Sequence, residues 1–146
     1  RGLSYQEALQ EAQELGYAET DPTLDVDGFD AAAKLVIMGN LLLDKELTLK
    51  DLKIEGIRDI TQKDITKAKD NGDTIKLIAS VNDMAKVEPV RISKNDTMSV
   101  TGALCSVKFV SEFAGEEVII GKGAGGMETA SAMIRDLVEI KQNMRV

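Results

Sequence analysis

The apolar positions of the chain fall first at helical spacing, then in one dense run, and later in alternation. Ser4 followed by Glu7 forms a capping box, and Ala8, Ala12 and Leu15 supply an apolar stripe that closes at Gly16. This predicts an amphipathic helix to about Gly16 whose acidic, Gln-rich face meets water. From Phe29 to Leu43 the chain is apolar nearly all the way round, broken only by Asp30, Lys34, Gly39 and Asn40. A helix of that kind is predicted to be buried on all sides. Asp27 is placed as its N-cap, with Asp30 at the third helical position in a weak capping-box pattern. Gly39-Asn40 is where its last turn is expected to loosen.

Thr48 to Ile60 carries Leu49, Leu52, Ile54 and Ile57 around Gly56 and reads as a short turn or edge strand. Thr61 opens a further helix that ends near Asn71-Gly72, with Ile65 and Ala68 inward and its lysines and aspartates in solvent. Alternation then predicts strands at Thr74 to Ser80 and at Lys86 to Ser93, where Pro89 marks an edge or bulge. Val100 to Val110 and Val118 to Ile120 read as two more strands joined across Ala114-Gly115-Glu116. Met127 to Gln142 reads as a closing helix. Helices, then a run of strands, then a helix make an α+β chain with a mixed or antiparallel β-sheet covered by helices.

Composition narrows the classes. The 146 residues are 43% hydrophobic, enough for the core of one domain. Aromatics supply only 3% and Trp none, so that core must be built from Leu, Ile, Val, Ala and Met. A net charge of −7 argues against a general nucleic-acid binder, which needs a basic face. No apolar run approaches the roughly 20 residues of a membrane span, and no signal peptide is visible. Cys105 is the single cysteine, so no internal disulfide forms, and with no His a transition-metal site is not expected. These features predict a soluble, cytoplasmic protein without metal, nucleic-acid or membrane partners. The chain opens on Arg1, followed at once by a helical pattern, which reads as a fragment with upstream sequence missing.

The candidate chemistry lies between Gly16 and Lys34. Glu19, Asp21, Asp25 and Asp27 crowd into a loop turned by Asp21-Pro22 and lead into the dense apolar run. Loops held against a rigid helix commonly carry binding groups, although acidic residues are also ordinary at helix entries. Asp30 and Lys34, four apart, share one face and can pair. As residues alone they suit either a structural bridge or a pair opening onto a polar cleft where protonation is tuned. Near the other end, Gly121-x-Gly123-x-x-Gly126 between a strand and a helix imitates a dinucleotide fingerprint. Too little chain follows for a second strand and its acidic residue, so this is not the first turn of a complete nucleotide-binding domain. A Gly-rich turn without a ligand remains one reading; a helix start that favours a negative or carbonyl group is the other.

The run Ala12-x-x-x-Gly16-Tyr17-Ala18-x-x-Asp21-Pro22-x-x-Asp25-Val26-x-Gly28-x-Asp30-x-x-x-Lys34 resembles the signature of homoserine dehydrogenases. The likeness continues in Gly121-Lys122-Gly123-Ala124-Gly125-Gly126 ahead of Thr129-Ala130-Ser131-Ala132 and Asp136-Leu137. It is looser through Ile54-Glu55-Gly56-Ile57 and the strands after it. The resemblance implies the substrate-binding part of an NAD- or NADP-dependent oxidoreductase that interconverts L-aspartate 4-semialdehyde and L-homoserine in threonine, methionine and isoleucine biosynthesis. It implies Lys34 as the ammonium near the reacting oxygen. Glu19 and Asp25 would hold the substrate's amino group and backbone end, and Asp30 would bind its hydroxyl end or orient Lys34. Gly121, Gly123, Ala124 and Gly125 would lie beside the cofactor, which is bound mainly by a missing upstream domain.

On this resemblance, residues 1–120 form a substrate-binding and dimerisation domain. Residues 121–146 form the Gly-rich turn and a helix returning toward the nucleotide-binding domain, and the protein is a homodimer. The fragment would retain the substrate loop but not turn over alone. Two positions depart from the family pattern: Lys122 stands where the family usually has Pro, and Cys105 where it often has Asn. Two other readings are a non-catalytic amino-acid-binding module and an oligomerisation module, both derived from such a domain.

Overall fold

The computed structural model describes residues 3–144, so Arg1 and the end of the 121–146 segment lie outside the described residues. The chain divides into two compact units, residues 1–99 and 100–146. That division falls ahead of the 120/121 boundary expected from the resemblance and assigns the last two strands to the second unit.

The first unit opens with α1 (Tyr5–Glu14), capped as expected: Ser4 accepts from the Glu7 N–H, and the Glu7 carboxylate accepts from the Ser4 N–H at 2.8 Å. Its predicted apolar stripe is not inward. Ala12 and Leu9 are half-buried, but Ala8 and Leu15 are exposed. The acidic loop contains a single helical turn, α2 (Thr23–Val26), that the sequence pattern does not reveal.

The long helix α3 (Phe29–Leu42) differs from expectation in three ways. It buries one stripe, Ala32, Leu35 and Gly39, whereas Ile37, Leu42 and Leu43 are exposed and Leu41 is 75% exposed. Its N-cap is Gly28, at φ +84°, and not Asp27. Gly28 is buried with Val87 and Ile54 against it, so the chain enters the helix through a left-handed residue that favours glycine. Nor does Gly39-Asn40 loosen the last turn. Leu47 packs directly on Gly39, and the helix runs on to Leu42.

After a 3₁₀ turn at Leu49–Asp51 capped by Thr48, β1 (Lys53–Ile54) adds two residues parallel to β3 (Ala85–Ser93). Between them in sequence come α4 (Gln62–Asp70), capped by Thr61, and β2 (Asp73–Val81). Ala68 of α4 is buried, but Ile65, expected inward, is exposed. β2 and β3 pair antiparallel along their whole length, from Asp73 opposite Ser93 to Val81 opposite Ala85, in a mixed sheet ordered β1-β3-β2.

Pro89 therefore lies on the middle strand, yet without cost. The Val87 carbonyl accepts from the Glu55 N–H on the β1 side, and Pro89, two residues on, points its backbone the same way, past the end of β1. The strand is an edge there, where a missing N–H breaks no ladder. The core of the unit joins Ala32 and Leu35 of α3 to Leu52, Ala85 and Val87, ringed by Leu47, Ile54, Leu77 and Ala79. It is aliphatic throughout, as the composition requires.

The second unit is an antiparallel hairpin, β4 (Leu104–Ser111) and β5 (Gly115–Lys122), followed by α5 (Gly126–Asn143). Gly115, at φ +72°, serves the tight connection. Among the described residues no side chain from Val100 onward is fully buried. The chain is thus α+β, with one mixed and one antiparallel sheet.

Candidate functional site

The acidic loop is held by backbone contacts from two directions. From α1, the Gln13 side-chain amide donates to the carbonyls of Glu19 at 2.9 Å and Thr20 at 3.3 Å. From beyond β1, the Ile57 N–H donates to the Val26 carbonyl at 2.8 Å. Gly56 lies so close that a Cβ there would come within 2.3 Å of that carbonyl oxygen. Gln13 and the Ile54–Ile57 segment thus fix both ends of the loop.

Each carboxylate of the loop has a distinct environment. Asp21 accepts from the Thr23 hydroxyl at 2.6 Å and its N–H at 3.1 Å, which stabilises the ionised carboxylate and holds its pKa below the ordinary value. It braces the entry to α2, whose N-cap position is Pro22. Asp27 receives a two-point contact from Arg58, Nε to Oδ1 at 2.8 Å and Nη2 to Oδ2 at 3.1 Å. That hydrogen bonding lowers the Asp27 pKa and raises that of Arg58. Asp30 pairs with Lys34 along α3, Nζ to Oδ2 at 2.5 Å. Glu19 and Asp25 are different: among the described residues their carboxylates have neither an ion pair nor a hydrogen-bond donor.

Arg58 and Lys34, both outside the loop, therefore answer Asp27 and Asp30, and among the described residues Glu19 and Asp25 stay open for a cation from outside. The Asp30–Lys34 pair is 45% and 62% exposed, so it belongs to a solvent-facing side of α3. Among the described residues Lys34 has no second anion in contact, which leaves its remaining donors available to an incoming oxygen. Arg58 is the residue that sequence reasoning missed. Its signal was an arginine directly after the Gly56-Ile57 pair, in a chain whose acidic loop lacks its own cation.

In the second unit, Gly121 and Lys122 close β5, Gly123, Ala124 and Gly125 make the turn, and Gly126 begins α5. Two of these glycines have reasons internal to the unit. A Cβ on Gly123 would collide with Cys105 Sγ at 2.3 Å, and Gly125 stands at φ +127°, a conformation that favours glycine. The Glu128 carboxylate folds back to accept its own N–H and the Lys122 ammonium at 3.1 Å, which lowers its pKa. Lys122, the departure from the family pattern, thus has a local partner. A negative group already occupies the start of α5, so the turn suits an uncharged part of a ligand better than a phosphate. Around Gly121 and Gly126 there is open space. Among the described residues no cluster of His, Cys, Asp and Glu is arranged to hold a metal, and no helix is long and apolar enough to cross a membrane.

The family model for homoserine dehydrogenase matches residues 1–138, through the acidic loop, both sheets and most of α5. The chain belongs to the homoserine dehydrogenase family. It is 44% identical over 140 residues to the homoserine dehydrogenase of Methanocaldococcus jannaschii, a match covering 95% of this chain and 42% of that protein. It is 40% identical to the NAD(+)-dependent homoserine dehydrogenase of Pseudomonas canavaninivorans, over 97% of this chain and 42% of that one. Its fold superposes on a hyperthermophilic archaeal homoserine dehydrogenase in complex with NADPH with a TM-score of 0.78 at 26% identity, covering 97% of this chain and 41% of that chain. The chain spans about 42% of the length of the curated homoserine dehydrogenases it matches.

Proposed function

We propose that the chain is the substrate-binding part of a homoserine dehydrogenase that interconverts L-aspartate 4-semialdehyde and L-homoserine with NAD or NADP. The observation that carries this reading is the split among the carboxylates of this stretch: among the described residues Asp27 and Asp30 have internal cations, while Glu19 and Asp25 have none. Two unpaired carboxylates on a braced loop suit the ammonium of an amino acid, by charge-assisted hydrogen bonding. Lys34 then faces the other end of the substrate. Its ammonium donates a hydrogen bond to the aldehyde oxygen and supplies the proton that oxygen takes up on reduction; in the reverse direction, the amine takes that proton. Asp30 keeps the ammonium at the exposed rim of α3 and pairs with its charge.

A nicotinamide cofactor, when bound, gives or takes the hydride at the substrate's terminal carbon. The backbone of Gly121, Gly123, Ala124 and Gly125 is the part of this chain assigned to contact it. The open space at Gly121 supports that contact, and the Glu128 carboxylate favours an uncharged portion of the cofactor. We assign substrate binding and dimerisation to residues 1–120, cofactor contact to residues 121–146, and the pathway role to threonine, methionine and isoleucine synthesis in the cytoplasm.

The test is homoserine-dependent reduction of NAD and of NADP by the protein in the length its gene encodes, for wild type and Lys34→Ala. The expected result is turnover by wild type and a loss of about 10²- to 10⁴-fold in kcat for the variant, the range of general acid–base catalysis. Because the Lys34–Asp30 pair is exposed, the variant keeps its melting temperature. Equal rates would remove Lys34 from the mechanism. A folded, inactive wild type that still binds homoserine would favour an amino-acid-binding module.

A further inference from the structure

Arg58 reaches the acidic loop from the turn after β1, across 31 positions of sequence. It comes at the end of a segment already locked onto that loop. The Glu55 N–H is tied to the Val87 carbonyl at 2.8 Å in the middle strand, Gly56 lies against the backbone of Val26 and Asp27, and the Ile57 N–H donates to Val26. The guanidinium then closes the contact with its planar fork on Asp27. Asp27 is the C-cap of α2, and its own N–H bonds to the Thr23 carbonyl at 2.9 Å. Gripping Asp27 therefore grips the one-turn helix whose third residue is Asp25.

A four-residue helix holds itself weakly, since its nucleus costs more than its few hydrogen bonds return. Its acidic surroundings add repulsion, because Asp21 and Asp27 act on one another as like charges. The positive charge of Arg58 lowers the energy of both carboxylates. Lysine would supply the charge but not the two-point geometry.

We propose that Arg58 is a positioning residue for the substrate loop: by clamping Asp27 it fixes α2 and presents the unpaired carboxylate of Asp25 to the substrate's ammonium. This rests on the reading of Asp25 as a substrate-binding group. It acts on binding rather than on the chemical step, which belongs to Lys34.

The experiment compares wild type with Arg58→Gln, Arg58→Lys, Asp27→Asn and the double variant R58Q/D27N, in the protein at its encoded length. Hydrogen exchange read by mass spectrometry is expected to accelerate on the order of tenfold in peptides covering Thr23–Gly28 and Ile54–Asp59 of Arg58→Gln. The β2–β3 peptides should keep their wild-type rates, and Arg58→Lys should fall between. In the homoserine assay, Arg58→Gln and Asp27→Asn each raise KM several-fold with kcat nearly unchanged, and the double variant is no worse than either single one. Unchanged exchange at Thr23–Gly28, an unchanged KM, or additive losses in the double variant would each overturn the proposal. If wild type does not oxidise homoserine, the dehydrogenase reading fails, and the exchange rates alone decide whether Arg58 clamps the loop.

Discussion

Asn40 holds the backbone of Leu47 by both its polar groups: its Oδ1 accepts from the Leu47 N–H at 2.7 Å, and its Nδ2 donates to the Leu47 carbonyl at 3.0 Å. The amide thus imitates a strand partner and returns the chain past the end of α3, with Leu47 packed on Gly39 one residue earlier. Asp44, at φ +46°, makes the reversal between them. Replacing Asn40 by Asp keeps the shape but sets a carboxylate oxygen against the Leu47 carbonyl. The expected loss is about 1–3 kcal/mol, the cost of a part-buried polar group without its partner. Urea unfolding with an unchanged m-value would measure it.

Gly28 and Gly56 are required for different reasons, and their alanine variants should separate them. At Gly28 the backbone is left-handed, and the neighbours of a new Cβ are side-chain methyls of Val87 and Ile54 at 3.2 and 3.3 Å. Gly28→Ala is expected to cost roughly 1–3 kcal/mol, mostly as backbone strain. At Gly56 the neighbours are backbone atoms, Val26 O at 2.3 Å and Asp27 Cα at 2.5 Å, so the loop itself must move. Gly56→Ala should therefore lower the melting temperature and raise the KM for homoserine together. Gly28→Ala should act mainly on stability.

Val87 has no exposed surface and is the largest fully buried side chain among the described residues. It lies where α3, β1 and β3 converge, and its carbonyl also anchors Glu55. Val87→Ala should cost about 1–3 kcal/mol from lost burial and the space left behind. Thermal or urea unfolding checks this.

Acid should unfold the first unit through its caps. Glu7, Asp21, Asp27, Asp51 and Asp64 all have pKa values lowered from ordinary carboxylate values. Hydroxyl and backbone donors of Ser4, Thr23, Thr48 and Thr61 are the main cause in four of them, and Arg58 in Asp27. A depressed folded-state pKa means that the unfolded chain binds protons first. Each group's stabilisation is then complete above its unfolded value and is lost as pH falls through the folded one. The melting temperature should stay nearly level from pH 7 to about 5 and fall below about pH 4. Thr61→Val, which removes one such acceptor–donor pair, should flatten part of that fall.

Local patterns in the chain were legible wherever cause and effect lie within a few residues. Ser4 with Glu7 and Thr61 with Asp64 announce their helices because a cap needs only three residues of separation. The alternation of β2, the hairpin turn at Gly115 and the pairing of Asp30 with Lys34 are local in the same sense. So is the acidic loop's resemblance to the homoserine dehydrogenase signature, because its residues stand at fixed spacing in one stretch.

What the tertiary structure decided depends on residues far apart. A run of apolar residues cannot say which side of α3 will find a partner. The core residues of the sheet side cover Ala32 and Leu35, Leu47 covers Gly39, and Leu41 stays in solvent despite equal hydrophobicity. Asp27 has the composition of an N-cap, but Arg58, brought in by the turn after β1, takes its carboxylate, and the buried, left-handed Gly28 starts the helix. The pairing that separates Asp27 from Asp25 is likewise invisible along the chain, because both are aspartates in one loop. Sequence determined which charges this protein carries and which local elements it forms; only the packed fold decided which charges are neutralised and which remain open to a ligand, since that depends on the cations that distant segments bring within hydrogen-bond reach.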